Sequence, residues 1–236
     1  MNLDAPKGVL LVGVQGCGKS LAAKVIAREW QLPLLKLDAG RLYDKFVGES
    51  EKNFRRAAAL AEAMAPVVLW IDEIEKAFAQ SATADADGGV SHRLFASFLT
   101  WLQEKKQEVF VVGAANDLTR LPPELLRKGR FDEIFFVDLP TRDERAGIFA
   151  IHLKLRRQDP QSFDLNALAD AADGFSGAEI EQAVISALYQ SLARKAALST
   201  ADVLDSIRST VPLSVTRAED VSRIRGAALG RFMPVA

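Results

Sequence analysis

The sequence predicts an α/β fold, a parallel sheet with crossover helices, followed by a small all-helical part. Two observations carry this. Over residues 8–139, apolar strand-like runs alternate with helix-like stretches, the pattern of parallel strands joined by helices. After Pro140 only helical periodicity remains. The chain has 236 residues, 49% of them hydrophobic and 26% charged, enough for a substantial core in one large or two modest domains. The expected division is 1–140 for the α/β part and 141–236 for the helical part.

In chain order, Pro6 breaks structure just before a first strand, Gly8–Val12. A helix follows over about 19–30. Leu32–Leu37 reads as a second strand, 40–48 as a loop and Glu51–Met64 as an Ala-rich helix. Pro66–Ile71 is a continuous apolar run ending in Asp72-Glu73, as in a parallel strand covered on both faces. Residues 80–89, QSATADADGG, are small and polar, a loop by composition. Val90, Leu94, Phe98, Trp101 and Leu102 mark one face of a helix. Val109–Ala114 is the next strand, then come a short helix Pro123–Arg127 and a last strand Ile134–Leu139. Beyond it, Arg142–Arg157 forms a helix with Ile148, Ile151, His152 and Leu155 along a face, and Asp164–Ala172 forms another. Ser176 and Glu179 have the spacing of a capping box. They open a helix with Ile180, Ala183, Val184, Ala187, Leu188, Ser191 and Leu192 on one stripe. Ser199 and Ala218 begin two further helical stretches, and no internal repeat is visible.

Composition excludes several function classes. With 30 basic and 31 acidic residues the net charge is −1, which gives no bulk attraction to nucleic acid or to a membrane. A single cysteine excludes an internal disulfide and suits a reducing compartment. No apolar run reaches transmembrane length, and the start MNLDAPKG lacks the regions of a signal peptide. The expected location is cytoplasmic or an organellar stroma.

The chemistry is organised around Gly13-Val14-Gln15-Gly16-Cys17-Gly18-Lys19-Ser20, which fits the phosphate-binding pattern G-x-x-x-x-G-K-[ST]. Glycines let backbone N–H groups turn inward around a polyphosphate. Lys19 can reach the β- and γ-phosphates, and the Ser20 hydroxyl can ligate Mg²⁺. The strand before and the helix after supply the setting that this loop requires. Asp72, at a strand end, suits the second metal ligand. Glu73 beside it suits a general base that takes a proton from attacking water. Asn116 follows the Val109 strand, where an amide can orient that water or touch the γ-phosphate; alone, it better suits a turn. Arg127 and Arg130, three apart, suit stabilisation of phosphoryl-transfer charge or simple capping of the short helix.

Taken together, residues 8 to about 200 resemble an ATPase module of the AAA family, in the branch with an aromatic pore loop. Gly13–Ser20 are similar to its Walker A segment, Val67–Glu73 to Walker B and Asn116 to sensor 1. Arg127 and Arg130 are similar to arginine fingers given in trans to a neighbour's ATP. Gly174–Ile180 resembles the lid segment in which Gly-Ala replaces a sensor-2 arginine, and Ile151–Lys154 the lid helix whose histidine lies by the adenosine. The resemblance thus implies nucleotide contacts at Gly13, Gln15, Gly16, Cys17, Gly18, Lys19, Ser20, Leu21, His152, Gly177 and Ala178. It implies metal ligation at Ser20 and Asp72, and catalysis at Glu73, Asn116, Arg127 and Arg130. Lys45–Glu51 resembles pore loop 1, which implies substrate contact at Phe46, Val47 and Gly48, with 85–89 as a second pore-lining loop. On its own, Phe46 reads as a residue buried under its loop. Within the family, the wording of GVQGCGKS, KFVGESEKNFR and ASFLTWLQEKKQ is similar to a group encoded in algal plastid genomes and found in cyanobacteria and other bacteria.

There are two departures. Only seven residues precede Gly8, where the family has a segment that closes over the adenine, so a piece of a longer protein is expected. Cys17 stands where the family often has Thr, as a small filler or as a thiol activated by the helix N-terminus. The resulting expectation is Mg²⁺-dependent ATP hydrolysis in a homo-oligomeric ring, a hexamer by resemblance, coupled to remodelling or threading of a protein substrate. The rival is an ATP-regulated binding scaffold with slow or no turnover, which has no need of Glu73. DNA remodelling is disfavoured by the charge balance, and GTP by the lack of an Asn-Lys-x-Asp segment after the loop.

Overall fold

The computed structural model describes residues 5–38, 49–78, 90–127, 129–228 and 230–234. The chain divides into two compact units, one of residues 1–13, 19–137 and 226–236, the other of 14–18 and 138–225.

The first unit is built on a sheet of β1 (Gly8–Gly13), β2 (Leu34–Asp38), β3 (Val67–Asp72), β4 (Val109–Ala115), β5 (Glu133–Val137) and the two-residue β6 (Met233–Pro234). The order is β2-β3-β4-β1-β5-β6 and every pairing is parallel. Strand residues alternate between two cores. Leu10, Val12, Leu69, Ile71, Val109 and Val111 face α2 (Glu49–Ala63), α3 (Ile74–Phe78) and α4 (Val90–Glu104). Leu11, Val68, Trp70 and Val112 face Ala23 and Ala27 of α1 (Lys19–Glu29). Burial on both faces is why β1, β3 and β4 read as unbroken apolar runs. Of the face predicted for α4, Leu94, Phe98 and Leu102 are buried and Trp101 is half-buried, while Phe95, not predicted, is buried beside them. Phe98 packs among Phe54, Phe78 and Trp101.

The second unit packs α5 (Arg142–Leu155), α6 (Leu165–Ala171), α7 (Gly177–Ala193) and α8 (Thr200–Arg208) around Phe149, Leu153, Leu168, Phe175, Ile180, Val184 and Val203. Capping boxes at Thr141, Ser176 and Ser199 fix three of its helix starts. α9 (Leu213–Thr216) and the start of α10 (Ala218–Ala228) complete it.

The α/β fold with a helical continuation is as the sequence predicts. Three details differ. On α5 the buried positions are Arg145, Phe149 and Leu153, whereas Ile151 and Leu155 are exposed. The face read from Ile148, Ile151, His152 and Leu155 was displaced because the true stripe contains an arginine. Arg145 is buried because it donates to the Ala169 and Pro140 carbonyls and pairs with Asp173 at 3.1 Å. On α7, Leu192 lies outside the buried stripe, which ends at Ser191. Finally, residues 226–236 belong with the sheet unit instead of the helical part, because β6 pairs with β5 and Ala228 joins the sheet's core.

Candidate functional site

In the sheet unit, β1 lies between β4 and β5, while the chain leaving it runs through α1 to the far edge strand β2. The connection order therefore reverses at β1, and open α/β sheets take ligands at the carboxyl ends of strands at such a point. There the Lys19 ammonium is buried and donates to the Gly13 carbonyl at 2.8 Å. Gly13 has φ +149°, and a Cβ on it would fall 1.9 Å from the Val137 carbonyl oxygen, so no side chain is tolerated. The Ser20 hydroxyl donates toward both Asp72 carboxylate oxygens, at 3.2 and 3.4 Å.

Two hard oxygen ligands facing each other across 3.2 Å fit Mg²⁺, which takes one or two protein oxygens and completes its shell with phosphate and water. Among the described residues no cluster of three or more His, Cys, Asp or Glu is arranged to hold a metal by protein groups alone.

Each carboxylate at the end of β3 has a further partner. Lys36 on β2 lies 3.7 Å from Asp72 and 4.3 Å from the centroid of Trp70, its register neighbour. Glu73 has left-handed backbone, φ +50°, uncommon for a residue with a side chain. The reversal lets α3 start at once, with the Lys76 N–H on the Glu73 carbonyl at 2.8 Å and the Lys76 ammonium on its carboxylate at 2.6 Å. That hydrogen bond holds the Lys76 pKa above its ordinary value. The pair is largely exposed, so solvent screens it and its contribution to stability is small. Glu75, on α3, is buried and accepts the Asn116 backbone N–H at 3.0 Å. Burial pushes its pKa up. Asn116 directly follows β4, whose Ala115 is the register partner of Val12 on β1. The turn beyond it is made by Asp117, which accepts the Thr119 N–H at 2.9 Å.

The helical unit holds the middle of the glycine-rich loop. Gly16 has φ +80° and its carbonyl accepts the Ala178 N–H at 3.0 Å. A Cβ on Gly16 would fall 2.8 Å from the Ser176 hydroxyl, so glycine is required for this close approach. Gln15 and Gly18 are exposed, and the Cys17 thiol lies 3.8 Å from the Gln15 carbonyl. His152 on α5 sits 3.3 Å from an Arg156 guanidinium nitrogen and 3.6 Å from Glu181. Desolvation, aided by Arg156 and opposed by Glu181, lowers its pKa and favours the neutral ring.

Arg127 and Arg130 lie elsewhere in the sheet unit. They precede β5, and the next residues clamp the start of β1: Gly8 N–H donates to the Asp132 carboxylate at 2.8 Å, and Asp132 N–H to the Gly8 carbonyl at 2.9 Å. β1 runs from Gly8 to Gly13, and at about 3.3 Å per residue its ends are roughly 17 Å apart. The arginines thus sit at the amino end of the sheet and Lys19, Ser20 and Asp72 at the carboxyl end. Arg127 is exposed, and its backbone N–H, not its side chain, closes the short 3₁₀ turn Pro123–Leu126. Arg130 has a buried guanidinium nitrogen, Nη1, with no hydrogen-bond partner among the described residues.

Phe46, Val47 and Gly48, and the stretch 85–89, lie outside the described residues. Leu21 is exposed on the first turn of α1. Lys36, Glu75 and Lys76 were not singled out from sequence. Only the strand register brings Lys36 to Asp72, whereas the Asp-Glu-x-Glu-Lys run after β3 did carry a signal for the other two.

The sequence matches the AAA family, "ATPase family associated with various cellular activities", over residues 9–139, and an AAA+ lid domain over 162–206. Among curated relatives, an "Uncharacterized AAA domain-containing protein ycf46" of Pyropia yezoensis is 49% identical over 228 residues, covering 96% of this chain and 46% of the relative. Its namesake in Guillardia theta is 48% identical over 224 residues, covering 94% and 44%. A "Proteasome-activating nucleotidase" of Aeropyrum pernix is 35% identical over 205 residues, covering 86% and 50%. The chain spans about half the length of these relatives. On this evidence the chain belongs to the AAA family and carries that family's ATPase domain followed by its lid.

Proposed function

We propose that this chain hydrolyses ATP with Mg²⁺ inside a homo-oligomeric ring and couples turnover to remodelling or threading of a protein substrate. The approach of Ser20 to Asp72 beside buried Lys19 is the observation that carries the hydrolysis reading. Lys19 binds the β- and γ-phosphates, and backbone from Gly13 to Gly18, with Ser20 and Leu21, surrounds the nucleotide. His152, Gly177 and Ala178 are assigned to the nucleotide by resemblance. Ser20 and Asp72 would hold Mg²⁺, which would supply positive charge to offset that of the phosphates.

Glu73 takes a proton from water as the water oxygen attacks the γ-phosphorus; the bond to the β-phosphate bridging oxygen breaks, leaving ADP and phosphate. To do so, its carboxylate must leave Lys76. Asn116 orients the water. Arg127 and Arg130 act on the ATP of a neighbouring copy, a reading supported by their place at the opposite end of the sheet from their own Lys19. Phe46, Val47 and Gly48 are assigned to substrate contact by resemblance. The nucleotidase relative supports an ATP-driven action on proteins, and the algal relatives support the stromal alternative to a cytoplasmic location.

Phosphate release and nucleotide binding, measured on parent and Glu73→Gln, test the reading. The variant is expected to lose about 10²- to 10⁴-fold in turnover while still binding ATP. Its ATP-bound particle should be several times heavier than the 25.7 kDa chain. Equal inactivity of both proteins with nucleotide still bound would favour the regulated scaffold. An ATP-bound particle of single-chain mass would exclude the ring.

A further inference from the structure

Among the described residues, Glu75 is the one buried carboxylate beside the site to which the proposed hydrolysis assigns no role. It is 4% exposed. One oxygen accepts the Asn116 N–H at 3.0 Å, and the other, Oε2, is buried with no hydrogen-bond partner. Such a group is costly: a buried carboxylate with an unsatisfied oxygen gives up solvation that a single hydrogen bond does not restore. A leucine of similar volume would occupy this buried position on α3, whose other buried residues are Ile74, Ala77 and Phe78, without that cost. What the carboxylate adds is a tie between two strand ends. Glu75 is two residues beyond Glu73, held there by the left-handed turn at Glu73 that starts α3. Asn116 is the first residue after β4. The β3–β4 register pairs Ile71 with Gly113, so Glu73 and Asn116 both leave the sheet beyond their last strand pairing. Beyond Asp72 and Ala115, each held by its other neighbouring strand, the Glu75 carboxylate on the Asn116 N–H is a bond that joins the two segments directly.

We propose that Glu75 is a positioning residue for hydrolysis, fixing the Asn116 backbone, and so its side-chain amide, relative to Glu73. This rests on the ATP-hydrolysis reading and adds to it a residue that touches neither nucleotide nor metal. The unpartnered Oε2 is available to a second donor, such as a water. A purely structural Glu75 would affect melting temperature alone. A positioning Glu75 affects kcat through Asn116.

The test is a double-mutant cycle on the full chain, with steady-state phosphate release, melting temperature and binding of a fluorescent ATP analogue. Glu75→Leu removes the acceptor at similar volume, Glu75→Gln keeps it, and Asn116→Ala removes the amide. Glu75→Leu is expected to lower kcat at least tenfold, with KM and analogue affinity within about threefold of the parent. Glu75→Gln should retain at least five times the kcat of Glu75→Leu. The double variant Glu75→Leu with Asn116→Ala should be no slower than Asn116→Ala alone, because the tie then has nothing to position. Multiplicative losses in the double variant, or parent-like kcat in Glu75→Leu, would overturn the proposal. So would an unfolded Glu75→Leu together with a Glu75→Gln as slow as Glu73→Gln, which assigns the carboxylate a different role. A parent with no phosphate release would instead refute the hydrolysis reading on which the proposal rests.

Discussion

The two ends of the sheet differ in how their charges are answered. At the carboxyl end, the charged groups of the candidate site each have at least one partner among the described residues, Lys19 on Gly13, Ser20 and Lys36 on Asp72, Lys76 on Glu73 and Asn116 on Glu75, although Glu75 Oε2 is itself buried without one. At the amino end, the backbone is clamped by Asp132 on Gly8 and Lys7 on Gly129. Yet the side chains of Arg127 and Arg130 have no hydrogen bond or ion pair among the described residues. Exposed arginines are ordinary, but a buried guanidinium nitrogen left unsatisfied is not. On the proposed reading, the carboxyl end receives a polyphosphate and the amino end holds cations in reserve, so that one chain's amino end completes another chain's carboxyl end.

That contrast can be broken or sharpened by measurement. The largest effect is expected at the amino end. The double change Arg127→Ala, Arg130→Ala should lower turnover about 10³-fold or more, the range for an arginine supplied to a phosphoryl-transfer site. Its melting temperature should change little, since neither side chain is bonded. Large destabilisation with unchanged turnover would instead make these arginines structural.

A smaller effect is expected from Lys36→Met. If Asp72 holds Mg²⁺ as proposed, the Lys36 ammonium competes for it, so the variant should reach half-maximal activity at lower Mg²⁺. Lys36 is about half exposed, and exposed pairs contribute about 0.2–1 kcal/mol, so the change should be no more than roughly fivefold. A Mg²⁺ titration that is unmoved would remove Lys36 from the site.

The smallest effect is on stability against pH. Burial raises the Glu75 pKa in the fold, so its contribution is fully present below the ordinary glutamate value and is lost as pH rises through the raised one. Glu75→Gln cannot ionise and escapes that loss. Its melting temperature should therefore gain on the parent's from pH 4 to pH 8, and a constant difference would contradict the buried-acid assignment.

Much of this was legible in the sequence, for identifiable reasons. β1, β3 and β4 are buried on both faces, so they appear as apolar runs of strand length, rich in β-branched residues. The capping box at Ser176 is local chemistry, readable without tertiary context. What escaped depends on contacts distant in sequence. The buried stripe of α5 includes Arg145, whose burial makes sense only once the Ala169 and Pro140 carbonyls are in reach. β6 is two residues long and has no pattern of its own; it exists because β5 offers an edge. At the site, the loop and the Asp72-Glu73 pair are contiguous motifs, whereas Lys36 reaches Asp72 only through the β2–β3 register. Glu75 was visible in the run after β3, but its burial, not its type, marks it out.

The central claim, that the two ends of the sheet meet between copies, is tested most directly by mixing two inactive proteins. Glu73→Gln keeps both arginines but cannot activate water; Arg127→Ala, Arg130→Ala keeps the carboxyl-end site but lacks the cations. Each alone should release little phosphate, and mixing them with ATP should restore activity, rising with total concentration. If the parent is active and the mixture stays as inactive as its parts, or if the arginine variant alone is as active as the parent, the sites are not shared between copies.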